Sequence, residues 1–229
     1  MYICSVQRIL DHYTVQLDKT LFVKDPSTSE VGKEIVRQSV KLLAQEGIES
    51  FNFKKLSNAI ASTETTVYRY FSNKHQLVMY LSSWYWVRLE SRILFATANI
   101  RDPKEQLQKA VKELSTRIPK GHESPQMEED LLQELVFNDS WKAFDTNLPN
   151  SCNPKSYYLA YEDLCDRLAK IIHSCDKAYK TPKALSSALI DTAHRQMFFQ
   201  KHLSHISDIG KTNKSIENLL LSMVEHFIK

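Results

Sequence analysis

The chain has 229 residues, of which 42% are hydrophobic and 25% charged, a globular composition that excludes disordered, collagen-like and mucin-like classes. Only 4 residues are glycine and no two share a loop, which excludes nucleotide-binding loops and doubly wound sheets, since both need clustered glycines. The net charge of +3 is too small to identify a partner, but residues 33–77 hold seven basic and four acidic side chains, as expected of a segment that meets a polyanion.

Residues 1–28 form an N-terminal extension in this interpretation. A partly alternating apolar stretch, which includes Tyr13, Val15 and Leu17, continues to Leu21-Phe22-Val23 and ends at Asp25-Pro26. We favour a loosely ordered arm, because chain termini are usually loose unless other contacts hold them. A short element packed on the body of the protein is the alternative.

Residues 29–75 have the pattern of a three-helix unit. From Val31, apolar residues recur at helical spacing to about Gln45, and Gly47 follows where a residue with positive φ ends a helix. Two short helices come next, with Asn52 and Thr63 as their N-caps. An amphipathic helix followed by two short helices and a tight turn predicts a helix-turn-helix.

The second short helix has two different faces. Val67 and Phe71, four residues apart, predict a buried edge. The other face carries the side chains that a recognition helix presents to base edges and phosphates: Thr65, Thr66, Tyr68 and Arg69. The guanidinium fork suits guanine, so we predict that this face and the Thr63 cap contact DNA. A solvated polar face is the alternative.

The segment ends in Thr66-Val67-Tyr68-Arg69-Tyr70-Phe71-Ser72-Asn73-Lys74. It resembles the tetracycline-repressor (TetR) family of bacterial regulators, whose signature includes Thr-x-Tyr-x-Tyr-Phe-x-x-Lys, and the resemblance covers about residues 31–81. It implies that Lys54, Tyr70 and Lys74 hold DNA phosphates. Ala61 stands where the family usually has glycine, and a left-handed backbone there would cost about 1 kcal/mol.

The remainder, residues 76–229, reads as a series of helices. The first is long, from Lys74 to about Asn99. The later helices are predicted to run from Asp102-Pro103 to about Ile118, from Ser124-Pro125 to about Phe137, from Pro154 or Lys155 to about Asp176, from Thr181-Pro182 to about Ile206, and from Asn213 to the C-terminus. Proline after Asp, Ser or Thr is a typical helix start. The fold class is therefore all-α, with a helix-turn-helix domain followed by a larger helical domain.

This larger domain is assigned to ligand binding and dimerisation. The resemblance implies a cavity among its helices, and the candidate lining residues are Trp84, Tyr85, Phe137, Trp141, Tyr161 and His194. Core packing is the alternative for each aromatic ring. The last two helices carry more apolar residues than a peripheral pair needs, and in the family the equivalent pair meets its symmetry mate, so we expect a homodimer.

No catalytic or metal site is predicted. His202-x-x-His205 supplies two imidazoles but no third ligand at fixed spacing, and no catalytic Ser, Cys or Lys constellation is visible, so we expect neither an enzyme nor a cofactor. The 4 cysteines form no CxxC pair, and the charged residues among the first 26 argue against a signal sequence, so we expect a cytoplasmic protein.

The leading hypothesis is a TetR-like regulator: a ligand-responsive repressor that binds a two-fold DNA operator as a dimer and responds to an unknown small molecule. The alternative is a helical module that docks a protein partner without binding DNA. Lys54, Arg69, Tyr70 and Lys74 on one side of the unit favour DNA.

Overall fold

A computed structural model describes residues 17–119, 128–145, 154–210 and 212–228. These ranges are helical, which confirms the predicted all-α class. They contain α1 (Glu30–Ser50), α2 (Phe53–Ala59), α3 (Glu64–Tyr68), α4 (Lys74–Thr97), α5 (Pro103–Leu114), α6 (Glu129–Asp145), α7 (Pro154–Cys175), α8 (Pro182–His202) and α9 (Asn213–Phe227), with short 3₁₀ turns at Lys19–Leu21, Pro26–Thr28 and Ser204–Ile206. No helix in the described ranges is long and apolar enough to cross a membrane.

The caps of the helix-turn-helix form as predicted. The Asn52 side chain accepts from the Lys55 amide at 3.0 Å, and the Thr63 hydroxyl accepts from the Thr66 amide at 3.3 Å. Each bond satisfies an amide that the first turn of a helix leaves without a backbone partner.

Several predicted helix ends are wrong. Helix α6 continues to Asp145, past the expected end at Phe137, whereas α5 stops at Leu114 and α8 at His202. The cap of α9 is Thr212, because its hydroxyl accepts from the Ser215 amide, and Asn213 is the first helical residue. The predicted start at Ser124-Pro125 lies outside the described residues.

Two backbone positions have positive φ. Gly47 has φ 74° and ψ 166°, a region that is essentially open to glycine alone, and it interrupts the helical geometry of α1. The predicted helix end at Gln45 is nevertheless wrong, because α1 continues beyond this kink to Ser50. Ala61, between α2 and α3, has φ 49°. The turn therefore keeps the conformation that suits glycine although it holds alanine.

Ala61→Gly is expected to stabilise the protein by about 0.5–1 kcal/mol, because glycine removes the Cβ clash of the left-handed backbone. Urea unfolding followed by tryptophan fluorescence measures the change. The control is Ala44→Gly, at an exposed position of α1, which should instead lose up to about 1 kcal/mol. Destabilisation by Ala61→Gly would contradict the assigned turn.

The chain divides into two compact units. The first comprises Met1–Val87 and Ile118–Ala160, and it holds α1, α2, α3, the first part of α4, and α6. All 3 tryptophans, Trp84, Trp86 and Trp141, belong to this unit, so their fluorescence reports its unfolding.

Within the first unit, α1 of the helix-turn-helix packs against α6. The Lys41 ammonium on α1 lies 2.7 Å from the Glu128 carboxylate, one residue before α6 begins. Helix α6 is therefore a neighbour of the helix-turn-helix that sequence spacing did not indicate.

The second unit comprises Arg88–Arg117 and Tyr161–Lys229. In it, α9 packs against α5 and α8 around a buried apolar core that includes Leu107, Leu189, Ile216 and Leu220. Two ion pairs join its elements: Arg92 with Glu113, and Arg167 with Glu90, each at 2.7 Å.

Residues 17–29, here called the N-terminal segment, are packed on the first unit. The Val23 amide donates to the Tyr70 carbonyl at 2.8 Å, and the Gln76 side chain donates to the Thr20 carbonyl at 2.9 Å. Leu21 is fully buried. The alternative of a short packed element therefore holds for these residues, and residues 1–16 lie outside the described ranges.

Candidate nucleic-acid interface

The helix-turn-helix presents its polar face because its apolar side is anchored. Leu56 of α2, Val67 of α3 and the following Phe71 are fully buried. Because α3 has a single buried edge, its remaining side chains must face outward. The ring of Tyr68 stacks edge-on against Phe53 with centroids 5.0 Å apart, which orients it while half of the residue stays exposed.

The predicted base-reading residues lie on this outward face. Thr63, Thr65, Tyr68 and Arg69 are exposed, and Thr66 is half-buried. The hydroxyls of Thr63 and Thr66 are 3.1 Å apart and hydrogen-bonded. The structure brings together these five side chains within one short helix and its caps.

The cations of the interface differ in whether an acid neutralises them. Lys54 and Arg69 are exposed, and in the described part of the chain neither has a carboxylate within 4.0 Å. The adjacent Lys55 instead pairs with Glu46 at 2.5 Å and donates to the Ser50 carbonyl at 3.0 Å. Lys54 and Arg69 therefore keep their charge available to a polyanion.

The two remaining phosphate candidates are less open than the resemblance implies. Tyr70 is only 4% exposed, and its hydroxyl is hydrogen-bonded to the Ser29 hydroxyl at 2.8 Å. The half-buried Lys74 donates to the Ile48 carbonyl at 3.2 Å, just after Gly47. Lys74 thereby joins the start of α4 to the end of α1. The phosphate contacts of Tyr70 and Lys74 stay predictions.

One cation beside this face was missed by the sequence reasoning. The Lys24 ammonium lies 3.5 Å from the Tyr70 hydroxyl and 5.1 Å from the centre of its ring. The available signal was the apolar pair Leu21-Phe22 ahead of Pro26, which is typical of a packed element. The contact itself spans 46 residues of sequence, and no local pattern encodes it.

Four predicted ligand-binding aromatics lie in the first unit, and the side chains of three of them are described. Trp84, Tyr85 and Phe137 are buried, and the rings of Tyr85 on α4 and Phe137 on α6 pack edge-on with centroids 6.3 Å apart. Trp141 is on α6, but its side chain lies outside the described ones. The three described rings occupy core positions, and a role of any of the four aromatics in binding a ligand stays a prediction.

The other two candidates lie in the second unit. The Tyr161 hydroxyl on α7 donates to the Asp191 carboxylate on α8 at 3.1 Å, and burial raises the pKa of this phenol. His194, one turn after Asp191, is buried, and loss of hydration lowers the pKa of its imidazole to about 3. The described residues contain no group of three or more His, Cys, Asp or Glu suited to a metal ion.

His194 makes stability depend on pH. Because its folded pKa of about 3 is below the ordinary 6.5, the unfolded chain binds a proton between these values that the folded chain does not. Stability is therefore lost as the pH falls through this window, by about 1.4 kcal/mol per pH unit.

As the pH falls from 6.5 to about 3, we expect the free energy of unfolding to decrease less steeply for His194→Leu than for the parent. Urea unfolding followed by far-UV circular dichroism at several pH values measures it, because the second unit contains no tryptophan. The matched control, His205→Leu, replaces an exposed histidine and should keep the parent slope. Equal slopes in all three proteins would refute a neutral buried His194.

Comparison with known protein families supports the helix-turn-helix. Residues 35–81 match the family model described as bacterial regulatory proteins, tetR family. This segment runs from within α1 to the first part of α4 and includes both short helices. No curated protein sequence matches the chain significantly.

Solved structures share the fold over most of the chain. AibR in complex with isovaleryl coenzyme A and operator DNA is similar with a TM-score of 0.61 and 14% identity, over 87% of this chain and 98% of that one. A tetR-family regulatory protein from Rhodococcus RHA1 is similar with a TM-score of 0.62 and 11% identity, over 87% and 97%. The fatty acid degradation regulator FadR from Bacillus halodurans is similar with a TM-score of 0.58 and 15% identity, over 82% of this chain and 93% of that one.

Residues 35–81 are therefore a TetR-family helix-turn-helix segment, and the chain has the fold of TetR-family regulators.

Proposed function

We propose that the chain is a ligand-responsive transcriptional repressor that binds a two-fold DNA operator as a homodimer. The observation that carries the proposal is the TetR-family helix-turn-helix with Lys54 and Arg69 exposed and, in the described part of the chain, without a carboxylate within 4.0 Å. Residues 29–75 are the DNA-binding domain in this account, and residues 76–229 bind ligand and dimerise, with residues 1–28 as an extension.

The DNA proposal assigns a part to each side chain of the interface. Arg69 and Tyr68 read base edges in the major groove, because both are exposed beside the short helix that enters it. Lys54 and Lys74 contact phosphates, which position the protein without reading sequence. Such contacts release counterions and make binding fall with salt.

The ligand proposal rests on the packing of α6. The Tyr85–Phe137 ring pair is on the inner side of this helix, and the Lys41–Glu128 ion pair joins the start of the helix to α1. A small molecule that separates the two rings must displace α6 or the first part of α4. Helix α6 packs against α1, and Lys74 at the start of α4 donates to the Ile48 carbonyl at the end of α1. A ligand that prefers one arrangement 100-fold supplies about 2.7 kcal/mol of coupling to DNA binding.

The chemical class of the ligand is suggested by the similar folds. AibR was solved with isovaleryl coenzyme A and operator DNA, and FadR regulates fatty acid degradation. We propose a small apolar or acyl ligand for this chain. The protein itself is not an enzyme in this account, and it acts in the cytoplasm, where an operator is accessible.

The dimer proposal rests on α8, α9 and the turn between them. Many of their apolar residues are buried within the chain itself, among them Leu185, Leu189, Ile190, Ile216, Leu220 and Val224. Ile206 and Phe227 remain 52% and 49% exposed, and Phe199, Leu203, Leu219 and Met223 are half-buried. This remaining apolar surface is available to a second copy, which would place two recognition helices about 34 Å apart.

Selection of bound duplexes from a random-sequence DNA library tests the proposal. The expected outcome is one enriched sequence with two-fold symmetry and half-sites whose centres are about one helical turn, or a multiple of it, apart. Sedimentation should show a homodimer at micromolar concentration. Enrichment of no sequence would overturn the DNA proposal, and a monomeric protein would overturn the dimer.

A further inference from the structure

The N-terminal segment carries a lysine whose position the helix-turn-helix match does not explain. The match begins at residue 35, whereas residues 17–29 precede it and nevertheless pack onto Tyr70 within the matched segment. We propose that Lys24 is a DNA phosphate contact, and that the N-terminal segment is an added part of the DNA interface. This inference rests on the proposed DNA-binding function.

The backbone around Lys24 is held on both sides. On the N-terminal side, the Val23 amide donates to the Tyr70 carbonyl, and the Phe22 ring packs edge-on against Tyr80 with centroids 6.2 Å apart. On the C-terminal side, Pro26 is buried against α1. A lysine on a fixed backbone loses less freedom on binding than one on a free terminus.

The contact between Pro26 and α1 is close enough to require glycine. A Cβ on Gly32 would lie 2.6 Å from the Cα of Pro26, a distance that a backbone neighbour cannot accommodate without moving. The Ser29 hydroxyl caps the first turn of α1 by accepting from the Gly32 amide at 3.1 Å. The N-terminal segment therefore packs directly against the first turn of α1 and caps it.

Lys24 is exposed, and it is placed over a side chain predicted to meet DNA. Its ammonium has three donors, of which one is directed to the Tyr70 hydroxyl at 3.5 Å. That hydroxyl also bonds to Ser29 at 2.8 Å. Because Tyr70 is buried and Lys24 is exposed, a phosphate oxygen that approaches this side would meet the remaining donors of Lys24.

The neighbouring acids do not neutralise Lys24. The Asp25 carboxylate accepts from the amide and hydroxyl of Ser27, at 2.8 and 2.7 Å, and Asp18 similarly accepts from Thr20. Within the described ranges Lys24 has no carboxylate within 4.0 Å. Its charge is therefore available, as for Lys54 and Arg69.

The alternative is that Lys24 braces the fold by its contact with the Tyr70 ring, a cation–π interaction. The two roles make different predictions. A phosphate contact changes the dependence of DNA binding on salt for every sequence, whereas a brace changes the unfolding midpoint and leaves the salt slope unaltered.

The experiment measures binding of the full chain to two duplexes, the selected operator and a random sequence, between about 50 and 200 mM salt. For Lys24→Ala we expect affinity about three- to tenfold weaker on both duplexes and a salt slope less steep by about 0.9 for each bound chain. Lys24→Arg should keep the parent slope. The control Lys214→Ala removes an exposed lysine that pairs with Glu217 in the second unit, and it should bind as the parent does.

Each outcome separates this inference from the function on which it rests. An unchanged salt slope for Lys24→Ala overturns the phosphate contact. If the urea midpoint of that variant, followed by tryptophan fluorescence, is also lower than that of the parent, Lys24 stabilises the fold instead. If the parent protein does not prefer the selected duplex, the proposed function itself has failed. Only the inference about Lys24 has failed when three results occur together: the parent prefers the selected duplex, Arg69→Ala loses that preference, and Lys24→Ala keeps the salt slope of the parent.

Discussion

Arg69→Ala is expected to weaken binding to the selected operator by about 1–3 kcal/mol for each half-site, or about 5- to 150-fold in dissociation constant. The side chain is exposed directly after α3 and, within the described ranges, has no carboxylate within 4.0 Å, so its guanidinium is available to a guanine edge. The loss arises because alanine leaves the acceptor atoms of the base without their donors. Fluorescence anisotropy with labelled operator measures it.

The control for Arg69→Ala is Arg101→Ala, which removes the same charge at an exposed position of the second unit. Binding of the control should match the parent. For Arg69→Ala, affinity for a random duplex should change much less than affinity for the operator, because only the operator contact is base-specific. Equal losses on both duplexes would show that Arg69 contacts phosphate instead of bases.

Phe71→Ala is expected to lower the free energy of unfolding by about 3–5 kcal/mol. The ring is fully buried between the short helices and α4, and it packs edge-on against Tyr80 with centroids 5.3 Å apart. Alanine removes this apolar area and leaves a cavity that the surrounding helices can fill only in part. Urea unfolding followed by tryptophan fluorescence reports the change, since the 3 tryptophans lie in the same unit.

Phe71→Leu provides the matched comparison, because leucine keeps most of the apolar volume and should lose distinctly less stability than alanine. DNA binding by Phe71→Leu should remain near that of the parent when the protein is folded. A loss below about 1 kcal/mol for Phe71→Ala would contradict the position of this ring in the core.

The helix-turn-helix could be predicted from sequence because its signals are local. The caps Asn52 and Thr63 lie three residues from the amides that they satisfy, and Gly47 and Ala61 stand where the chain must turn. The outward position of Arg69 follows from the four-residue spacing of Val67 and Phe71, which fixes the buried edge. Such patterns depend on helix periodicity alone and need no knowledge of the rest of the fold.

Other features depend on pairs of residues that are distant in sequence. Lys24 meets Tyr70 across 46 positions, and Lys41 pairs with Glu128 at the start of α6. Neither pair has a spacing that identifies it, because each forms only after helices pack. The burial of Tyr70 was missed for the same reason: its motif position suggests a surface residue, whereas the N-terminal segment covers its ring.

The central claim is that the helix-turn-helix reads a DNA sequence, and the ratio of affinities for the selected operator and a random duplex tests it most directly. Competition anisotropy at about physiological salt should give a preference of about 1,000-fold or more, with an affinity that falls linearly with salt on logarithmic axes. A ratio near one, or binding that salt does not change, would contradict the account.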